Sequence, residues 1–164
     1  MTNSNIQFCY DPEKINITTL QNLLNLCAFW AEGRSKEGLE IAIANSNPVI
    51  TVWDGEHLIG FSRATTDCVY RATIWDVVIH PEYRGIGLGS KLVETMLAHP
   101  RLNQVERVYL MTTYQQKFYK EIGFQENHTT TMVIYNNDFP QHKISSQQVE
   151  EMVEVPFSSS KIND

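Results

Sequence analysis

The feature that most constrains this chain is an apolar strand followed directly by a glycine-rich loop and an amphipathic helix. Residues 72–79 read Ala-Thr-Ile-Trp-Asp-Val-Val-Ile, which is typical of a central strand covered on both faces. His80-Pro81 ends that strand, and glycines recur at 85, 87 and 89. From Gly87 to Leu97 the apolar residues take helical spacing. A sheet covered by helices is therefore expected.

The rest of the chain continues this alternation of strands and helices. Apolar spacing predicts the following elements, in chain order: strand 6–10; a helix from Asn16, capped by Asn16 or Thr18, that Gly33 stops; helix 36–45; strands 49–53 and 57–64 around the Asp54-Gly55 turn; strand 105–112; helix 114–122, closed by Gly123; and closing strands at Phe124 and 130–135. This order predicts an α/β or α+β fold. We expect one domain over residues 1–136 and a polar C-terminal extension over 137–164, with a short helix at 146–153.

Composition excludes several classes of protein. The 164 residues correspond to about one domain, and the net charge of -6 argues against a surface that follows nucleic-acid phosphates. No apolar run reaches the roughly 18 residues of a membrane span, and no signal peptide is expected from the first residues. Cys9, Cys27 and Cys68 are too scattered for a disulfide framework or a zinc site, and no metal is expected. A cytoplasmic location is the expectation.

The glycine loop is a candidate anion site. Free amides at a helix N-terminus attract negative charge, and glycines let a diphosphate approach the backbone. A simple strand-to-helix turn explains the glycines equally well. Two known phosphate loops fit poorly, because Ser90-Lys91 reverses the order of a Walker loop and Gly85, Gly87 and Gly89 do not match the Rossmann spacing.

Three motifs resemble the GNAT superfamily of N-acetyltransferases. Arg84-Gly85-Ile86-Gly87-Leu88-Gly89 matches its acetyl-CoA signature, [Q/R]-x-x-G-x-[G/A], and residues 77–83 resemble its preceding strand and loop. Residues 118–124 are similar to its F-Y-x-x-x-G-F segment. Residues 58–67 and 72–77 resemble the plastid and cyanobacterial branch, whose members acetylate serotonin, other arylalkylamines or protein amines. The resemblance implies a mixed, mostly antiparallel central sheet flanked by helices and splayed at its central strands.

The resemblance also implies where acetyl-CoA is held. Residues Val77, Val78 and Ile79 would pair with the pantetheine arm, and a backbone N–H near Val78 would polarise the thioester carbonyl. The diphosphate would be held by the loop, which comprises Arg84, Gly85, Ile86, Gly87, Leu88, Gly89 and Ser90. Thr112 stands where the wider family often has Asn, which would alter one polar contact to the coenzyme.

Two side chains are candidates for catalysis. Tyr119 matches the tyrosine of the family and would protonate the departing thiolate. The alternative is that Tyr119 is an aromatic core residue, although by helix position Phe118 could fill the core there instead. Asp76 is a candidate base, directly or through water, because a carboxylate within an apolar strand is costly to bury unpaired. A partner such as Arg63 or Arg71 would instead make it structural.

The remaining candidates concern the acceptor. Strand alternation places Trp75 on the side opposite Asp76. Glu32 and Arg34 lie between the first two helices, which border the acceptor pocket in this family. The expected function is acetyl transfer to a primary amine, first a small arylalkylamine such as serotonin. The alternatives are a protein lysine or N-terminal amine as the acceptor, and a non-catalytic acyl-CoA-binding module. A homodimer is the expected assembly.

Overall fold

The computed structural model describes residues 5–136, which form a five-stranded sheet with helices on both faces. The elements are β1 (Ile6–Cys9), α1 (Ile17–Cys27), α2 (Lys36–Ala44), β2 (Val49–Asp54), β3 (His57–Thr66), β4 (Arg71–Ile79), α3 (Leu88–Ala98), β5 (Arg107–Tyr109) and α4 (Gln116–Ile122). The predicted extension over 137–164 and its short helix lie outside the described residues. Within residues 5–136, the helices are too short to cross a membrane.

The sheet is mixed and opens at one side. Its strands are ordered β1-β2-β3-β4-β5, with antiparallel pairing throughout except between β4 and β5, which run parallel. That parallel pairing covers Arg71–Thr73 of β4 and then stops, so residues 74–79 have no β5 partner. The predicted splay at the central strands is therefore confirmed.

Two apolar clusters cover the two faces of the sheet. One cluster joins α3 and α4 to the sheet, with Leu92, Val93, Met96 and Phe118 among its buried members. The other joins α1 and α2 to the opposite face, with Leu20, Leu24 and Leu39 buried. Both α1 and α2 begin with a side-chain N-cap, because Asn16 Oδ1 accepts from Thr19 N and Ser35 Oγ accepts from Gly38 N. Asn16 is thus one of the two caps proposed from the sequence.

The largest irregularity of the sheet lies in β4. Phe61 faces Val78 and Arg63 faces Trp75, so Asp76 and Val77 together stand opposite Ser62. One extra residue in β4 is a β-bulge, and Asp76 takes a left-handed φ of 55° there. The bulge inverts the alternation of faces: Ile74 belongs to the α3 cluster before it, whereas Val78 belongs to the α1 cluster after it.

This bulge corrects one expectation from the sequence. Trp75 and Asp76 do not face opposite sides, since Arg63 contacts both: its guanidinium carbon lies 5.7 Å from the Trp75 ring centroid, and its Nε donates to Asp76. Strand alternation fails here because the extra residue of the bulge places Asp76 on the same face of the sheet as Trp75. Ser62 fills the space opposite the bulge, and its buried hydroxyl donates to Trp75 O at 3.1 Å.

Three predicted elements differ from the structure. The first helix ends at Cys27 rather than near Gly33, because Ala28 is extended and residues 29–31 form a 3₁₀ turn. Strand β5 has three residues instead of eight. The predicted strand at 130–135 is absent, and its four apolar residues, Met132, Val133, Ile134 and Tyr135, are 63–91% exposed. These residues favour a strand, but none of the strands within residues 5–136 pairs with them, and a strand needs a partner.

Gly60 in β3 gives a test of the packing behind the open edge. A Cβ added to Gly60 would lie 2.8 Å from Ile79 Cδ1 and 2.9 Å from Val52 Cγ2. We expect Gly60→Ala to lower the free energy of unfolding by about 1–3 kcal/mol, since extra atoms force a packed core apart. Denaturant unfolding measures this value. The matched control is Gly38→Ala on α2, where the nearest contact is a serine hydroxyl at 3.1 Å. An equal loss in both variants would contradict the packing argument.

Candidate active site

Beyond Thr73, the outer edge of β4 has no strand partner among the described residues. His80 N donates to Ile59 O at 2.7 Å, and Phe61 faces Val78, so the peptide groups of Val78 point towards β3. By alternation, those of Val77 and Ile79 point the other way, towards the edge that β5 leaves uncovered. The strand therefore offers the N–H of Val77 and of Ile79 to a molecule that enters between β4 and β5.

The glycine loop continues this edge into a helix N-terminus. Gly85 and Gly87 have φ values of 80° and 84°, a region that residues with a Cβ rarely adopt. Gly87 supplies no side-chain cap, and the first bond of α3 runs from Lys91 N to Gly87 O. The amides of residues 88–90 consequently have no partner within the helix. Together with the helix dipole they form a site for an anion.

A depression joins the end of β4 to this loop. The residues that line it are Ile79, Arg84, Gly85, Gly87, Gly89, Ser90 and Phe118. Six of these were predicted from the sequence for the coenzyme, and Phe118 is the addition. Leu88 is buried in the core instead, and the Ile86 side chain is 60% exposed. Only the backbone groups of these two residues can therefore contribute to the site.

Arg84 and Cys27 meet at the head of the loop. Arg84 Nε donates to Ile79 O at 3.0 Å, and Cys27 Sγ lies 3.6 Å from the same oxygen. Burial raises the pKa of the Cys27 thiol, and the nearby Arg84 guanidinium opposes that rise. No local pattern predicted this contact, since Cys27 lies more than fifty residues before Ile79.

Tyr83 ties the segment before the loop to the first hairpin. Its hydroxyl donates to Asp54 Oδ2 at 2.9 Å, and its ring packs edge-on against His80. The hydrogen bond to Asp54 raises the pKa of Tyr83. The start of the loop is thus fixed from both sides, by Tyr83 at the hairpin and by Arg84 at the end of β4.

Tyr119 is held by aromatic neighbours on α4. Its ring lies 4.9 Å from that of Phe118 and 5.8 Å from that of Phe124, both in edge-on geometry. Burial raises the pKa of Tyr119 to about 12, so its hydroxyl stays protonated at neutral pH. Phe118, rather than Tyr119, is among the residues that line the depression. Thr112 Oγ1 accepts from Gln115 N and so supports the start of α4.

Asp76 is the centre of a buried polar cluster. Its side chain is 4% exposed, and its Oδ2 accepts from Arg63 Nε at 2.7 Å. Arg34 Nη1 lies 3.0 Å from both carboxylate oxygens, and Trp30 Nε1 lies 3.4 Å from Oδ1. The alternative left open by the sequence, an arginine partner for Asp76, is present in Arg63.

The other residues named from the sequence for this region do not all lie near Asp76. Arg71 pairs with Glu106 at the surface rather than with Asp76. Arg34, a candidate for the acceptor side, reaches Asp76, whereas Glu32 is exposed. Trp30 also contacts Asp76, through its indole N–H, and no pattern in the sequence predicted this contact. Within residues 5–136, no group of three or more acidic, histidine or cysteine side chains has the geometry of a metal site.

Comparisons with known proteins agree with this geometry. The model of the "Acetyltransferase (GNAT) family" matches residues 17–124. The chain is 33% identical over 117 residues to an N-acetyltransferase, ycf52, of Pyropia yezoensis; the match covers 68% of this chain and 66% of that relative, slightly under two thirds of its length. It is 42% identical over 69 residues to the chloroplastic GCN5-related N-acetyltransferase 2 of Arabidopsis thaliana, covering 42% of this chain and 27% of the relative.

A solved structure shares the fold. A putative acetyltransferase of the GNAT family from Xanthomonas campestris pv. campestris superposes with a TM-score of 0.71 at 22% identity, covering 79% of this chain and 94% of that one. This likeness concerns the fold. The two sequence relatives fit the plastid and cyanobacterial branch, so that resemblance is confirmed.

The raised pKa of Tyr119 predicts a loss of stability at high pH. An unfolded tyrosine ionises near pH 10, whereas folded Tyr119 ionises near pH 12. Ionisation therefore favours the unfolded chain as the pH rises from 10 to 12, by at most about 3 kcal/mol. We expect Tyr119→Phe to remove this part of the pH dependence. The free energy of unfolding, measured against pH, tests it, with the exposed Tyr10→Phe as control. Parallel curves for wild type and Tyr119→Phe would contradict the prediction.

Proposed function

Because the chain belongs to the GNAT family of acetyltransferases, we propose that it transfers an acetyl group from acetyl-CoA to a primary amine by direct attack. The observation that carries this proposal is the continuity of the open β4 edge with the free amides of the α3 N-terminus. An extended pantetheine arm matches the first feature, and a diphosphate matches the second. The two features adjoin in the order in which acetyl-CoA carries those groups.

Backbone and side-chain groups divide the chemistry. The N–H of Val77 or Ile79 polarises the thioester carbonyl, in the region of Val78 that the family resemblance indicated. The amine nitrogen forms a bond to that carbonyl carbon, the carbon–sulfur bond breaks, and the nitrogen releases one proton to solvent water, from which Tyr119 is later reprotonated. Tyr119 gives its proton to the leaving thiolate, a role that suits a hydroxyl kept neutral by burial.

The attacking amine must be neutral, whereas an alkylamine with a pKa near 10.4 is mostly protonated at pH 7. Arg34 and Arg63 share one carboxylate, Asp76, so the cluster beside the bulge carries net positive charge. A positive neighbour disfavours an ammonium ion and so favours the reactive form of the amine. No covalent enzyme intermediate is part of this proposal.

We further propose a small arylalkylamine such as serotonin as the acceptor. Trp30 is 40% exposed, packs edge-on against Phe29, and has its indole N–H held by Asp76. This arrangement gives an aromatic acceptor a ring of fixed orientation beside the bulge. Cytoplasmic location and a homodimer are proposals that rest on the sequence alone.

A thiol-release assay with acetyl-CoA tests the function. The acceptor panel comprises serotonin, tryptamine, spermidine, a lysine peptide and a peptide with a free N-terminus. Faster release with the two indole amines supports the proposed acceptor, and faster release with the peptides assigns a protein amine. Tight binding of acetyl-CoA without release on any acceptor would assign a non-catalytic acyl-CoA-binding module.

Substitution at Ser90 separates binding of the coenzyme from folding. Ser90 lines the depression in the first turn of α3. We expect Ser90→Glu to weaken acetyl-CoA binding at least about tenfold, because its charge repels the diphosphate. The same charge suits the N-terminus of a helix, so the thermal midpoint should not fall. Calorimetry measures the Kd, and Ser90→Gln is the uncharged control of equal size. Equal Kd values for both variants would contradict this placement of the diphosphate.

Substitution at Tyr119 tests the acid. We expect Tyr119→Phe to lower kcat about 100-fold, the lower range for loss of a positioned proton donor. The Kd for acetyl-CoA should stay within about twofold, since the ring and its packing are retained. Steady-state kinetics and calorimetry on the same preparation measure both. A Tyr119→Phe variant with the kcat of the wild type would remove Tyr119 from the mechanism.

A further inference from the structure

We infer that Asp76 is a positioning residue: it fastens the loop of residues 28–35, between α1 and α2, to the β4 bulge and is not the group that accepts the proton of the amine. The inference rests on the proposed acetyl transfer and refines the same site. It concerns how the acceptor side of the site is built, through Trp30 and Arg34.

The first argument is the occupancy of the carboxylate. An ionised carboxylate has about four acceptor directions. Asp76 receives N–H contacts on both oxygens: from Trp30 and Arg34 on Oδ1, and from Arg34 and Arg63 on Oδ2, at 2.7–3.4 Å. A general base must reach the proton it removes within hydrogen-bonding distance. An amine or a water could approach Asp76 only by displacing one of these donors.

The second argument is how the loop is otherwise held. Ala28 is extended, residues 29–31 form a single 3₁₀ turn, and Gly33 has a φ of 80°. Short 3₁₀ turns have weak hydrogen-bond geometry, so contacts with the rest of the fold set the position of such a loop. Gln21 Nε2 holds Arg34 O at 2.8 Å on the α1 side. On the sheet side, the two side chains that reach from the loop to β4 both end on Asp76.

The third argument is the position of the bulge itself. Asp76 is followed by Val77, whose peptide group faces the open edge. Arg63 anchors the carboxylate from β3, and Ser46 Oγ accepts from Arg63 Nη1 at 3.1 Å. The same carboxylate therefore fixes the backbone beside the thioester and the loop that carries the exposed Trp30. A shift in Asp76 would move both reactants relative to each other.

The main experiment compares Asp76→Asn with wild type. We expect the KM for the acceptor to rise about tenfold and the Kd for acetyl-CoA to change less than about twofold, because the loop moves while the glycine loop does not. The acid limb of kcat/KM should persist and follow the acceptor. With two arylalkylamine acceptors of different amine pKa, it should lie at lower pH for the amine of lower pKa, by as much as the two pKa values differ.

A catalytic base gives a different result. If Asp76 accepted the proton, Asp76→Asn would lose the acid limb with both acceptors and would lower kcat at least about 100-fold. Either finding would overturn the inference. A wild-type protein that binds acetyl-CoA but acetylates no acceptor would refute the proposed function instead, so the two failures are distinguishable.

Two further variants and one measurement keep the inference testable if Asp76→Asn does not fold. Arg34→Lys and Trp30→Phe each remove one contact between the loop and Asp76, and each should raise the acceptor KM, as Asp76→Asn does. Arg71→Gln, which breaks the surface pair with Glu106, is the matched control and should leave the acceptor KM unchanged. Hydrogen exchange within residues 28–35 should accelerate in Arg34→Lys and not in Arg71→Gln. Unchanged exchange and an unchanged acceptor KM in both loop variants would overturn the inference.

Discussion

The buried pairing of Asp76 with Arg63 and Arg34 is the interaction on which the shape of the site depends. Asp76 sits at a left-handed φ of 55° in a strand, a conformation that costs about 1–3 kcal/mol for a residue with a side chain. The carboxylate is almost fully buried, which would be costly without partners. Two guanidinium groups and an indole N–H offset that cost. The contacts of the Asp76 side chain therefore stabilise a backbone conformation that is unfavourable on its own.

The bulge has consequences on both faces of the sheet. It moves Val78 into the α1 cluster and Ile79 into the α3 cluster, so the last residues of β4 are anchored from both sides. On the open edge, β5 ends its pairing at the level of Thr73, before the bulge begins. A straight β4 would offer β5 a longer ladder. The extra residue and the early end of β5 together leave the Val77 and Ile79 peptide groups without a strand partner among the described residues.

Parts of this arrangement follow from sequence patterns and parts do not. The strand at 72–79, the glycine loop and α3 have strong local signals, because apolar spacing and left-handed glycines act over a few residues. The bulge at Asp76 has no such signal, since strand alternation assumes one residue per step. The contact of Cys27 with Ile79, and that of Arg34 with Asp76, join residues about fifty and forty positions apart. Such contacts depend on how α1 and its loop pack on the sheet, which composition and spacing do not encode.

The segment at 130–135 is an example of a strand that local sequence predicts and that long-range packing within residues 5–136 does not form. Its β-branched residues favour a strand, and three threonines adjoin at Thr129–Thr131, yet in the described part of the chain the segment pairs with no strand. A helix closes its own hydrogen bonds, as α4 does up to Gly123, where Gly123 N and Phe124 N bond back to Lys120 O and Tyr119 O. A strand instead depends on a neighbour with a matching free edge. Among the described residues, the edge of β4 beyond Thr73 has no strand partner and is bounded by the bulge, the glycine loop and Arg84, so no neighbour with a matching free edge is available there to the segment at 130–135.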